Sequence, residues 1–506
     1  MGNERYIELK HQPAKVKLEE IPVLDYVTFS ELITELLKED ANHCLNYFVV
    51  PLVGKYKFIC CIGCDDSKSI LVFSHEQEKT LSLSLQSITQ THFQFHIFER
   101  EIHENFGIEF PGHPWLKPVR YTFNRSDRSK VMDNYPFYSI DGNELHEVGV
   151  GPIHAGVIEP GHFRFICNGE KVLHLEIQLG YQHRGIEDLF VKNQGEIKNS
   201  VLAENIAGDT AVGHALCHTG LMEALAGIAI PQHLAIERTI ALELERIAVH
   251  IGDTAAICTD IAYQFGQVVN EALRTIVINT TQYWCGNRFG KGLIRTGGTN
   301  YPITPAVVAE IRKNLKEVKE RYLQITDRIF SLSSVLSRFE GTGKVTATQS
   351  KLIGSVGMAA RSSGIKRDIR WSHPSEVYEK LNYEPVVITR GDVWSRAMLR
   401  KLEVEKSIEM VFHLLDLLEP VTENAAPDYN LKPDPLTFAI SLTEGWRGEI
   451  CHCAVTDDKG NIMHYKVKDP SFHNWMALAL AVRGQEISDF PLCNKSYNLS
   501  YCGFGL

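Results

Sequence analysis

Apolar and polar positions change their period along the chain, and each change marks an element. Up to residue 122, a helical period over Phe29–Lys38 gives way to apolar runs at Tyr47–Val53, Lys57–Ile62 and Ser69–Phe73, which predict strands. Residues 123–148 are polar with few periodic apolar positions and predict a linker. A second unit opens at Gly149. Gly151–Phe165 alternates and turns as a hairpin does, and Lys171–Leu179 continues the sheet. Long 3.6-residue periods with charged outer faces then predict helices over Glu237–Thr254, Ala306–Arg338 and Asp392–Leu418. The expected fold class is α+β. A small N-terminal α/β domain fills 1–122, a linker 123–148, and a mainly helical bundle with short antiparallel β-layers 149–506.

One stretch has neither period. Ala203–His218 is dense in small residues, which let a backbone approach another helix or a ligand closely. Asp209 and Thr210 interrupt it, and His214, Cys217 and His218 follow at spacings that share one helix face. Imidazole and thiolate in that pattern could bind a metal. Spacing alone favours a buried helix whose polar side chains are hydrogen-bonded to its neighbours.

Composition narrows the classes. The 506 residues carry 44% hydrophobic and 23% charged positions, ordinary for a globular chain with two or three domains. A net charge of -10 and the lack of a basic run exclude a nucleic-acid surface. The first 20 residues lack the apolar core of a secretory signal, and no run of 18 apolar residues occurs, so no transmembrane segment is expected. The 12 cysteines are scattered, as suits reduced thiols. The single CxxC, Cys61 to Cys64, ends a strand-like run and has no second pair to complete a zinc site.

Longer motifs carry more. Phe98–Pro118, with Glu-Arg-Glu, Phe-Gly-Ile and Gly-His-Pro, resembles the 30-kDa subunit of respiratory complex I, with Glu104 where that family has aspartate. Gly151–Phe165, Gly180–Leu189, Leu242–His250, Ile294–Gly298, Arg361–Arg370, Gly391–Arg396, Arg447–Glu449 and Asp469–Phe472 resemble the complex I 49-kDa subunit and the large subunits of nickel–iron hydrogenases. The Glu159-Pro160-Gly161-His162 form is similar to the membrane-bound, formate hydrogenlyase-type enzymes of group 4. The chain therefore resembles a fusion of both subunit types.

That resemblance implies a site. Where the hydrogenases place four thiolates around nickel and iron, this chain has Ala207, Thr210, Ser500 and Gly503, with Cys502 one residue out of register. Nickel–iron catalysis is not expected from such a set. In complex I the vacated cavity takes the quinone headgroup, held by a hairpin histidine and a helix tyrosine. Here Pro160 replaces that histidine and 203–218 has no tyrosine, so quinone carries over as a candidate ligand of the cavity and not onto those residues.

The polar groups offered to the cavity are His154, Glu159, His162, Asp209, Thr210 and His214, the last three as candidate catalytic residues. The family match further places Arg246 and His250, with Arg184 and Arg295, beside an iron–sulfur cluster carried by a partner small subunit. A histidine there would couple proton uptake to reduction. No glycine-rich phosphate loop is present, so NADH is not expected on this chain.

The resemblance implies an NADH-quinone oxidoreductase- or hydrogenase-like subunit of an electron-transport complex, inactive alone. It would sit peripherally on the cytoplasmic face of the inner (plasma) membrane, with an iron–sulfur small subunit and antiporter-like, ion-translocating membrane subunits as partners. The alternatives are a non-redox scaffold between such a membrane module and soluble subunits, and a hydrogenase large subunit with unusual ligands.

Overall fold

The computed structural model describes residues 4–154, 158–193, 195–418 and 425–506. It is α+β, with three antiparallel-based sheets and a long-helix bundle. Strands Asn42–Pro51, Lys55–Cys64 and Ser69–Glu78 form the centre of a five-stranded sheet. They read as nearly continuous apolar runs because both faces are covered. Tyr47, Phe58 and Phe73 pack under the Tyr26–Leu36 and His96–Phe106 helices with Phe29 and Phe98. Leu45, Phe48, Ile59 and Val72 point the other way, onto Phe438, Ile440 and Cys453 of a C-terminal sheet. Burying one such side chain contributes about 1.5–3 kcal/mol.

That second sheet is built from Thr437–Glu444, Glu449–Thr456 and Ile462–Lys468, and its fourth strand is Ala14–Lys17 from the far end of the chain. Residues 1–122 and the C-terminal part therefore share a sheet as well as a core. Buried charge pairs reinforce the join. Glu449 accepts from Lys468 Nζ at 2.5 Å and lies 2.7 Å from His43 Nε2. Glu101 meets Lys466 Nζ at 2.6 Å and also pairs with Arg120.

The Glu-Arg-Glu helix thus has structural work for each charge. Glu99 accepts from Ser87, Thr89 and the Ile88 amide, Glu104 caps the Val119 and Arg120 amides, and Arg100 donates to the Lys117 and Pro118 carbonyls.

Two sequence expectations change. Residues 145–148, read as the end of the linker, belong to the strand Leu145–Val150, which pairs with His162–Asn168, itself paired with Lys171–Gln178. The polar exposed face of that strand hid its period. The expected hairpin over Gly151–Phe165 has its tip, 155–157, outside the described residues. The helix expected over Ala306–Arg338 is two, Pro305–Ile329 and Ser333–Phe339, because the Ser331 hydroxyl turns back onto the Arg328 carbonyl. The bundle also holds Ala211–Ala226, Gln232–Asp260, Gln264–Cys285 and Val393–Asp416.

Candidate functional site

The site forms where the turn after Thr437–Glu444 meets the start of the Ala211–Ala226 helix. The turn is closed by mutual backbone hydrogen bonds between Gly445 and Gly448 at 2.8 and 3.0 Å. Gly448 sits at φ +140°, and a Cβ there would lie 2.6 Å from the Gly357 Cα, so only glycine fits. The turn carries Trp446 and Arg447 to the helix. Arg447 grips both carboxylate oxygens of Asp209 at 2.6 Å, reaches Thr210 Oγ1 at 3.2 Å and donates to the Asn498 carbonyl at 2.6 Å. Its guanidinium lies 3.9 Å from the Trp446 ring centre, and Trp446 Nε1 donates to the Asp209 carbonyl.

Thr210 does not cap the helix it precedes. Glu245 does so from the neighbouring helix, accepting from the Val212 and Gly213 amides at 2.7 and 3.1 Å. Burial pushes its carboxyl up to about 8 despite those bonds.

The four positions that the resemblance sets against the hydrogenase thiolates, Ala207, Thr210, Ser500 and Gly503, offer no soft donor. The Thr210 amide bonds to the Ala207 carbonyl, and the Thr210 hydroxyl faces Asp209 and Arg447. Ser500 Oγ is used on the Gly503 amide at 2.8 Å. A Cβ on Gly503 would lie 2.5 Å from the Asp469 Cγ, so the Asp469 carboxylate fills the space a ligand side chain needs. Hard hydroxyls and a carboxylate already committed to hydrogen bonds are the wrong donors for a soft nickel–iron pair. Among the described residues, no group of three or more His, Cys, Asp or Glu is arranged to hold a metal ion.

His214 faces this carboxylate. Its Nε2 is 3.0 Å from Asp469 Oδ2, and its Nδ1 is 3.1 Å from His452 Nε2. His452 Nδ1 meets the Tyr465 hydroxyl at 2.8 Å, which meets His218 Nδ1 at 2.9 Å. His218 Nε2 is 3.3 Å from Glu196. Every member is buried. Burial drives the His452 pKa well below its usual range, reinforced by His214 and His218. Burial alone would raise Asp469, yet His214 and Arg447 bring it below its ordinary value. The Cys217 thiol turns to the Ser441 carbonyl, so the His-x-x-Cys-His face is a packed, hydrogen-bonded one.

Beside these groups lies a cavity of about 820 Å³. Asp209, Glu245 and Asn498 stand at its site end, and Val249, Gly252 and Arg274 line its walls. Half of its lining residues are polar or charged, Glu271 and Arg288 among them, and the rest are apolar, a mixture that suits an amphiphilic organic ligand.

The structure gathers Asp209, Thr210 and His214 at this site. Glu159 joins its rim, accepting from the Cys502 thiol at 2.6 Å. The other expected residues go elsewhere. His154 and His162 bond the Gly161 and Gly151 carbonyls within their own hairpin. Arg184 holds the Asn205 and Ile206 carbonyls and Arg295 holds Glu204, so both brace the loop before Asp209. Arg246 holds the Glu444 and Gly445 carbonyls. His250 is fully enclosed within the chain, 3.2 Å from Glu403. Sequence reasoning missed Arg447, Asp469, His452, Tyr465, Glu196 and Glu245. Arg447 and Asp469 lay inside motifs already singled out.

Residues 33–125 match the family described as respiratory-chain NADH dehydrogenase, 30 Kd subunit, and residues 267–437 that described as the 49 Kd subunit. The chain thus carries both domain types in one polypeptide. Hydrogenase-4 component G of Escherichia coli is 26% identical over 77% of this chain and 67% of its own length. The membrane-bound hydrogenase subunit alpha of Pyrococcus furiosus is 29% identical over 69% of this chain and 85% of its own. A chain of the membrane-bound sulfane sulfur reductase, an archaeal respiratory membrane complex, shares the fold at a TM-score of 0.66 and 21% identity, covering 73% of this chain and 100% of that one. The relatives are subunits of oxidoreductase complexes, several of them membrane-bound. Among the described residues, no helix is long and apolar enough to cross a membrane.

Proposed function

We propose that this fusion of 30-kDa-type and 49-kDa-type domains is the acceptor-side subunit of a membrane-attached respiratory oxidoreductase complex. A partner small subunit's iron–sulfur cluster supplies electrons, and membrane subunits of the ion-translocating kind anchor the assembly. The cavity takes a small oxidised organic acceptor of the quinone class. One observation carries this reading: Asp209, gripped by Arg447, stands with Glu245 at one end of the 820 Å³ cavity, and the His214–Asp469 pair is buried behind it.

The chemistry follows from those groups. A carbonyl oxygen gains negative charge as it is reduced. Arg447, held behind the cavity-lining Asp209, places a positive charge that offsets it, and the low dielectric strengthens that effect. Asp209 fixes the guanidinium plane, and His214 with Asp469 holds a proton within the same buried region. Glu245, with its raised pKa, is a second acid on the cavity wall near neutral pH.

Isolating the complex from membranes through a tag on this chain tests the reading. Co-purification of an iron–sulfur subunit and membrane subunits, with no stoichiometric nickel, is the expected result. A complex that contains nickel and takes up hydrogen contradicts it.

A further inference from the structure

The charged and polar groups running from Glu196 to Asp469 are arranged beyond what packing requires. Glu196 and Asp469 each pair with an imidazole, His218 at 3.3 Å and His214 at 3.0 Å. Between the two imidazoles lie only the Tyr465 hydroxyl and His452, joined by hydrogen bonds of 2.9, 2.8 and 3.1 Å. Four polar side chains in series inside a core are costly to bury, and the three links between them are made, while His218 Nε2 approaches Glu196 without a hydrogen bond.

We propose that His218, Tyr465, His452 and His214 form a proton relay that carries one proton from the Glu196 end to the His214–Asp469 pair, beside Gly503. This rests on the acceptor reading above, since it supplies the proton that reduction of a carbonyl consumes.

The tautomers allow it. Glu196 Oε1 also accepts from Thr296 and Ser200 at 2.6 and 3.0 Å, as a carboxylate does, and it can balance a proton that enters at His218. Burial raises Glu196, but His218 brings it below the ordinary range, and Asp469 is lowered likewise, so both ends stay ionised. His218 Nδ1–H then donates to Tyr465, whose O–H donates to His452 Nδ1, whose Nε2–H donates to His214 Nδ1.

In transfer, each of these three hydrogens moves across its own link. The His218 N–H bond, the Tyr465 O–H bond and the His452 Nε2–H bond break. A new Tyr465 O–H, a His452 Nδ1–H and a His214 Nδ1–H form. One positive charge moves from His218 to His214, His452 changes tautomer and the Tyr465 hydroxyl reverses its hydrogen bond; no electron is gained or lost, so the step needs no oxidant or reductant. His214 then holds a proton against Asp469 for the acceptor, while residues beside Glu196, such as Ile197 at 55% exposure, reach solvent.

Tyr465→Phe tests the relay in the purified complex. The ring, stacked 4.0 Å from Phe190, stays, and only the shared hydroxyl goes. With a short-chain benzoquinone as acceptor, kcat should fall at least about tenfold with KM unchanged, and the solvent deuterium isotope effect should rise as proton arrival limits turnover. The partner cluster's EPR signal reports assembly. Should Tyr465→Phe fail to assemble, Glu196→Gln weakens the entry end and should show the same kinetic signature. Unchanged kcat and isotope effect in the assembled variant overturn the relay alone. A natural complex that does not reduce the quinone overturns the acceptor reading and the relay with it.

Discussion

Arg447 holds both oxygens of Asp209 at 2.6 Å, joining a β-turn to the start of a helix 238 residues away in sequence. The pair is asymmetric in exposure, with Arg447 at 4% and Asp209 at 38% on the cavity side. The arginine is therefore the fixed member and the carboxylate the one that faces a ligand. Lysine cannot reproduce the fork, nor the additional bond to the Asn498 carbonyl. Arg447→Lys should cost about 1–3 kcal/mol of stability, read as a lower unfolding midpoint. An unchanged midpoint would show that the turn is held by Trp446 and backbone alone.

Glu245 sets a pH dependence of definite sign. Burial raises its folded pKa to about 8 from the ordinary glutamate value of 4.5. Between those values the folded state keeps a proton that the unfolded chain has lost, so this group's contribution falls as pH rises through that window. Glu245→Gln removes the titration. The stability difference between natural protein and variant should move in the variant's favour from about pH 4.5 to 8, and denaturant titrations at several pH values read it. A difference that stays flat contradicts the raised pKa.

Lys468 tests the join between the two domain types. Burial would raise Glu449, but Lys468 and then His43 hold it well below the usual carboxylate range. Its contribution is complete above that range and is lost only in strong acid. Lys468→Met leaves a buried carboxylate with His43 alone and should cost about 3–5 kcal/mol at neutral pH. A loss near zero would mean that the Glu449 pair adds nothing to the join, leaving it to apolar packing and the Glu101–Lys466 pair.

Cys502 is half-buried, unlike the other cysteines, which are all buried. Burial and then the adjacent Glu159 carboxylate push its thiol up to about 12. It should react slowly with iodoacetamide at mildly alkaline pH, and Glu159→Gln should speed alkylation, about tenfold per unit of pKa recovered. Fast labelling of the natural protein would remove Glu159 from the site rim.

The parts of the fold legible in the sequence are those with local periods. The 98–118 motif and the long helices show their faces over two or three turns. The site was legible only as far as local signals reach. Asp209, Thr210 and His214 stand out in a small-residue run, whereas Arg447 and Asp469 acquire meaning only when two distant turns meet. His452 and Tyr465 sit on strands buried on both faces, where continuous apolar runs conceal which polar residue points at which neighbour. His250 was singled out by its motif alone, and its contact with Glu403, 153 residues away, was not legible there. The strand Ala14–Lys17 could not be assigned because its partners lie more than 400 residues away.

The central claim is that the cavity beside Asp209 receives the electrons. Ala256 lines that cavity, and Ala256→Phe would fill much of it without touching the polar groups. The decisive measurement is the EPR signal of the partner's reduced iron–sulfur cluster after mixing with a short-chain benzoquinone. The account predicts rapid loss of the signal in the natural complex and loss slowed at least about tenfold in the Ala256→Phe complex. A cluster that stays reduced in the natural complex, or one reoxidised equally fast with the cavity filled, would contradict it.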